Sequence, residues 1–158
     1  MIACHVIRPG PPGGASHEFL QLRRSAGDYL GGTWQIVRGR LEAGETAWQA
    51  ALRELHEETG LAPAEFYKLS LLEAFYLVPG ESIWQVPSFV AVVPREAAVV
   101  LNDEHEAYRW VPRDRIDAET MWAGERLVLA EVMREICDDG LSKPHLRVRE
   151  YHTAGTGG

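Results

Sequence analysis

The chain has 158 residues, 46% of them apolar and 25% charged, with a formal net charge of −7. Length and composition fit one globular domain, and no apolar run approaches the span of a membrane helix. The acidic balance argues against a nucleic-acid polymer as partner, because such binding rests on a basic face that displaces counterions. It leaves room for a small anionic ligand wherever arginines or metal ions reverse the local field.

In chain order, Met1 to Ile7 reads as a strand, PGPPGGASH as a turn, and Glu18 to Arg23 as a second strand that closes a hairpin. The opening MIACHVIRPG has neither the basic start nor the apolar core of a secretion signal, so a cytoplasmic location is expected. Trp34 to Val37 is a short third strand. From about Ala47 to Thr59 the pattern is helical: Thr46 and Gln49 form a capping box, and Gly60 closes the helix. Trp48, Leu52 and Leu55 supply its buried stripe, while Ala47, Ala50 and Ala51 permit close approach to a sheet. Lys68 to Val78 and Ser82 to Val93 are long strands joined by a turn at Pro79 and Gly80. Glu106 to Val111 is a further strand, and Arg113 to Asp117 a helical turn. A helix from about Trp122 to Asp138 repeats Leu129, Val132, Met133 and Ile136 at helical spacing and stops at Gly140. The expected organisation is a single domain over 1–150 and a flexible tail of small residues over 151–158. Strands interleaved with substantial helices indicate an α/β layered fold. Cys4 and Cys137 have no CxxC spacing and read as ordinary thiols.

The chemistry concentrates in GRLEAGETAWQAALRELHEETGL, Gly39 to Leu61. Glu54, Glu57 and Glu58 lie three and four residues apart, on one face and one turn of the helix, close enough to share a cation. Three acids on a helix are ordinarily a solvated face with ion pairs, but here opposite-charge partners are missing from that face. Arg53 points about a quarter-turn away and is better placed to orient Glu45 or Glu54. Mutual repulsion among the glutamates, a few tenths of a kcal/mol per pair, should raise at least one carboxyl pKa, and a bound Mg2+ or Mn2+ would relieve it.

Gly39, Glu45, Arg53, Glu54, Leu55, Glu57, Glu58, Gly60 and Leu61 stand at every fixed position of GX5EX7REUXEEXGU, where U is a bulky aliphatic residue. The chain therefore resembles the Nudix hydrolase family, over about Ile2 to Ile136. The resemblance implies an α/β/α sandwich with a mixed central sheet, and hydrolysis of a phosphoanhydride with Mg2+ or Mn2+ as cofactor. It implies Glu57 and Glu58 as principal metal ligands, Glu54 as a third ligand or as the base that activates water, and Glu45 as support for the loop and Arg53. A backbone carbonyl of Arg38 or Gly39 joins the shell in relatives. Many members carry a second glycine where this chain has Arg38, which would narrow the pocket or add a phosphate contact.

Beyond the box, Glu104 in DEHEAYRWV is a candidate fourth ligand or alternative base. His105 reads as structural, and Tyr108 and Trp110 as core residues of an alternating strand. The run with Glu104, His105, Tyr108 and Trp110, together with TWQIVRG around Trp34 and MWAGER around Trp122 and Arg126, is similar to the dihydroneopterin triphosphate pyrophosphohydrolase branch. Arg23 or Arg24, Arg38 and Arg126 are candidate phosphate contacts, and Trp34, Trp84 and Trp122 candidate stacking platforms. The expected substrate is a small nucleotide or pterin triphosphate, cleaved to a monophosphate and pyrophosphate. Alternatives are a dinucleoside polyphosphate or nucleotide-sugar hydrolase, or a non-catalytic nucleotide sensor. A homodimer is compatible with the sequence.

Overall fold

The structure, a computed structural model, describes residues 1–149; the expected tail over 151–158 lies outside the described residues. Strand β1 (Ile2–Pro9) is the centre of the sheet, and all of its residues from Ile2 to Ile7 are buried. Its N-terminal half pairs antiparallel with β4 (Val37–Gly39), with Ile2 opposite Gly39 and Cys4 opposite Val37. Its C-terminal end pairs with β2 (His17–Arg24), Ile7 opposite Phe19, as the expected hairpin. On its other side β1 runs parallel to β6 (Ser82–Val92). Strand β5 (Glu65–Leu77) forms the edge beyond β6, β3 (Trp34–Gln35) pairs with the far end of β2, and β7 (His105–Pro112) pairs with β2 along its length. The sheet is therefore mixed.

The stretch expected as one strand from Trp34 to Val37 is two. Because β1 and β2 pair over three residues and then diverge, the returning chain enters the gap between them. Trp34 and Gln35 join β2, and Val37 to Gly39 join β1.

Helix α1 (Ala47–Thr59) covers one face of the sheet. The capping box is formed, with Gln49 N–H donating to Thr46 Oγ1 at 3.4 Å and Thr46 N–H donating to Gln49 Oε1 at 2.9 Å. Gly60 ends the helix at φ 68°, a conformation that glycine adopts without a side-chain penalty. Ala50, Ala51 and Leu55 are fully buried against Ile2, Cys4, Val6 and Phe66, while Trp48 and Leu52 flank this core half-buried. The other face is covered by α2 (Arg113–Glu119) and α3 (Ala123–Glu131), with Ile116, Val128 and Leu129 packing on Ile7, Phe19, Tyr67 and Val90.

The helix expected from Trp122 to Asp138 is α-helical to Glu131 and then widens into a π-helical segment, Val132–Cys137, where Asp138 N–H reaches back five residues to Met133 O. A short helix α4 (Lys143–Leu146), not anticipated from sequence, seals the core with Leu146. Burial pushes both thiols above the ordinary range, Cys137 to about 11, in keeping with unreactive cysteines. No helix among the described residues is long and apolar enough to cross a membrane.

Candidate active site

Helix α1 places the three glutamates across the border between interior and solvent. Glu58 follows Leu55 by one turn and dips into the interior, 3% exposed; the Glu57 side chain lies outside at 52%; Glu54 lies between at 15%. Among the described residues no three acidic, histidine or cysteine side chains converge on a common point, so the expected carboxylate cluster is not assembled as the side chains lie.

Arg53 corrects the expectation of an uncompensated acidic face. Its guanidinium donates to both oxygens of Glu45 at 2.9 and 3.0 Å and pairs with Glu54 and, one turn on, with Glu57, each at 3.0 Å. It also donates to Arg40 O at 2.8 Å. The long side chain spans the quarter-turn that the backbone geometry leaves. Glu45 in turn accepts from Glu42 N–H at 3.0 Å, so the Glu45–Arg53 pair pins the loop before α1.

Glu54 accepts from Arg40 N–H at 3.2 Å and lies directly against Gly39, where any side chain would overlap its carboxylate. The glycine thus leaves room for Glu54 to lie against the β4 backbone. Burial raises the Glu54 carboxyl above its ordinary range, an effect that Arg53 counters. Glu58 is the more extreme case. Desolvation first, then the charges of Glu54 and Glu104, push it up to about 9, against the favourable charge of Arg24 and a backbone hydrogen bond from Arg38. Repulsion was the expected cause; burial is the larger one.

Glu58 Oε2 and Arg24 Nε are the two buried side-chain polar atoms, among the described residues, that have no hydrogen-bond partner. An orphaned buried carboxylate oxygen is costly unless a cation or donor meets it. The local fold delivers Arg24 to this place through a bulge. The β2–β7 register shifts between Arg23, opposite Ala107, and Arg24, opposite His105, which sets the Arg24 backbone next to the Glu104 loop. That loop is held by Ser25 N–H donating to Glu104 O at 2.9 Å and by Asn102 Oδ1, which accepts from Glu104 N–H at 3.2 Å. Glu104 itself is exposed. His105 is buried between Gln35 Nε2 at 3.2 Å and Asn102 Oδ1 at 3.3 Å, the structural role expected of it.

Arg24 also pairs through Nη2 with Asp28 at 3.5 Å, and most of the remaining candidates have partners of their own. Arg23 pairs with Glu106 at 3.1 Å, and Arg126 braces the turn before α3 through the carbonyls of Thr120 and Met121 at 2.8 and 3.1 Å. Trp34 carries the Arg109 guanidinium 4.3 Å above its ring, and Trp84 stacks on Phe75. Trp122 is half exposed beside α3, and Tyr108, expected in the core, is 44% exposed. Arg38 is committed to Glu73 at 2.7 Å and Glu125 at 2.9 Å, both acids that sequence reasoning passed over. Glu131 is another: buried, it accepts from Ser70 and Leu71 N–H at 2.8 and 2.9 Å and so caps an irregularity in β5. Nothing in local sequence marks these acids, since their partners lie tens of residues away.

The chain matches the NUDIX domain family over residues 10–132. It is 31% identical to the asymmetrical bis(5'-nucleosyl)-tetraphosphatase of Sus scrofa over 76% of this chain and 81% of that protein. It is 32% identical to dihydroneopterin triphosphate diphosphatase of Escherichia coli K12 over 60% of this chain and 71% of that protein. A stretch of 84 residues is 45% identical to an octanoyltransferase of Myxococcus xanthus, a match spanning 51% of this chain and 23% of that longer protein. Among solved structures, the Nudix hydrolase RenU of M. smegmatis superposes with a TM-score of 0.69 at 26% identity, covering 85% of each chain. The chain belongs to the Nudix family. It is an α/β/α Nudix fold of the class that hydrolyses phosphoanhydride bonds.

Proposed function

We propose that this protein is a Mg2+- or Mn2+-dependent pyrophosphohydrolase that cleaves a nucleoside or pterin triphosphate to a monophosphate and pyrophosphate. The observation that carries this reading is that Glu58 Oε2 and Arg24 Nε are buried without partners, an acceptor suited to a hard cation and a donor suited to phosphate. Glu58, Glu57 and the Gly39 carbonyl would hold the cation, with waters and substrate oxygens completing a shell that needs few protein carboxylates. When bound, the cation supplies charge neutralisation on the phosphates and polarises the bond to be broken.

The protein's own groups do the rest. Arg24 orients a phosphate oxygen, and Glu54, whose carboxyl burial shifts toward higher pKa, takes the proton of the attacking water or serves as a third ligand. Arg53 fixes Glu54 and Glu57 and ties both to the loop through Glu45. Glu104, on the loop beside Arg24, is a further acid within reach of an incoming substrate.

A second reading, hydrolysis of an asymmetrical dinucleoside polyphosphate, is favoured by the longer match to the Sus scrofa protein, 76% of this chain against 60% for the pterin enzyme. One experiment separates them: nucleoside triphosphates, pterin triphosphate, dinucleoside polyphosphates and nucleotide sugars are each incubated with Mg2+ and the products identified. Pyrophosphate released from a triphosphate supports the first reading; turnover restricted to dinucleoside polyphosphates supports the second; no turnover of any of them refutes both.

A further inference from the structure

Arg38 stands where many Nudix sequences carry glycine, and its two ends face different layers of the protein. Its backbone is on β4, paired with Ala3, in the stretch that lies against α1: the next residue, Gly39, is in contact with Glu54, and Arg40 N–H donates to Glu54 Oε1 at 3.2 Å. Its side chain goes the other way. One nitrogen, Nη2, donates to Glu73 Oε2 on β5 at 2.7 Å and to Glu125 Oε2 on α3 at 2.9 Å. The side chains of Arg38, Glu73 and Glu125 are 17%, 5% and 5% exposed, so this is a buried cluster with more acid than base. Gly124 brings α3 close enough for it: a methyl there would stand 3.3 Å from Glu73 Cγ.

Buried ion pairs of this kind contribute little net stability, because desolvation of three charged groups offsets their attraction. Their geometric effect is better defined. The guanidinium is anchored to two elements at once, which removes the freedom of the β4 backbone to shift along β1. That backbone supports the helix turn of Glu54, and one turn further on Glu58 Oε2 is left without a partner.

Resting on the hydrolase reading above, we infer that Arg38 is a positioning residue: anchored by Glu73 and Glu125, it fixes the direction in which Glu58 presents its free oxygen to cation and substrate. Because a single nitrogen makes both ion pairs, a lysine ammonium can replace it, whereas an apolar side chain of similar length cannot.

The test compares the full chain with Arg38→Met, Arg38→Lys, Glu125→Gln and, as a control weakened only in stability, Thr46→Ala. Mn2+ affinity is measured by calorimetry without substrate, kcat and KM on whichever compound the wild type hydrolyses, and Tm for each protein. Arg38→Met is expected to weaken Mn2+ binding and lower kcat, each by about 10- to 100-fold, with KM little changed. Arg38→Lys should recover both to within about threefold of wild type, and Glu125→Gln should fall between. Thr46→Ala should lose Tm while keeping wild-type Mn2+ affinity.

Wild-type Mn2+ affinity in Arg38→Met, or equal losses in the Met and Lys variants, overturns the inference and leaves the hydrolase reading intact. So does a rise in KM at constant kcat, which would make Arg38 a substrate contact. Should Arg38→Met not fold, Glu125→Gln decides alone: unchanged Mn2+ affinity and kcat overturn the inference. A wild type that hydrolyses nothing refutes the hydrolase reading, while the Mn2+ affinities still report on Arg38.

Discussion

Arg24 Nε and Glu58 Oε2 are buried, lack hydrogen-bond partners, and belong to side chains of opposite charge in the same site. Under the proposed function, these two unsatisfied atoms of complementary type are where a cation and a phosphate complete the site. Replacing Arg24 with Met is expected to lower kcat/KM about 10- to 100-fold, the loss of one charge-assisted phosphate contact of about 1.5–3 kcal/mol. Steady-state kinetics on the preferred substrate measures it, and kinetics like those of wild type would remove Arg24 from the substrate site.

Glu57 and Glu54 separate by assay. Glu57→Gln should reduce turnover by orders of magnitude with the fold intact, since the change removes a ligand charge without removing volume. Glu54→Gln should abolish turnover as well. A calorimetric Mn2+ titration matching that of wild type would then assign Glu54 as the base, whereas weakened binding would assign it as a ligand.

Arg53 holds Glu45, Glu54 and Glu57 together, and its pKa is raised, first by the Glu45 hydrogen bonds. Arg53→Lys keeps the charge but lacks the planar fork that serves both Glu45 oxygens and the Arg40 carbonyl. Turnover should fall about 10-fold or more while circular dichroism stays native. Activity equal to that of wild type would show that charge alone suffices.

His5, on β1, is 2% exposed, and burial together with the Arg38 guanidinium holds its pKa down to about 3. The unfolded chain takes up that proton near pH 6.5, so between about 6.5 and about 3 the unfolded state binds more protons. Stability from the neutral imidazole is therefore complete above about pH 6.5 and is lost as pH falls toward about 3. Unfolding free energies from urea titrations at about pH 7 and about pH 5 should differ by about 2 kcal/mol more for wild type than for His5→Gln. Parallel pH dependences would place the proton elsewhere.

Much of this was legible in the sequence because it obeys local rules. Thr46, Gln49 and Gly60 fix the ends of α1, and the GX5EX7REUXEEXGU spacing groups Glu54, Glu57 and Glu58 with Arg53. What escaped depends on distance. Nothing near Arg38 announces Glu73 or Glu125, and a bulge opposite β7 separates the surroundings of Arg23 from those of Arg24. The division of β3 from β4 follows from the divergence of β1 and β2, which no local pattern encodes. The helical spacing that groups three glutamates on one face also leaves their depth undefined. Leu55 and Ala51 set that depth, carrying Glu58 inward while Glu57 remains outside.

Manganese anomalous diffraction from crystals grown with Mn2+ and a non-hydrolysable triphosphate analogue bears most directly on the central claim. A peak is expected in bonding contact with Glu58 Oε2 and with a phosphate oxygen of the analogue. A nucleotide bound with its phosphates away from α1, and Glu58 still buried without a cation, would contradict it.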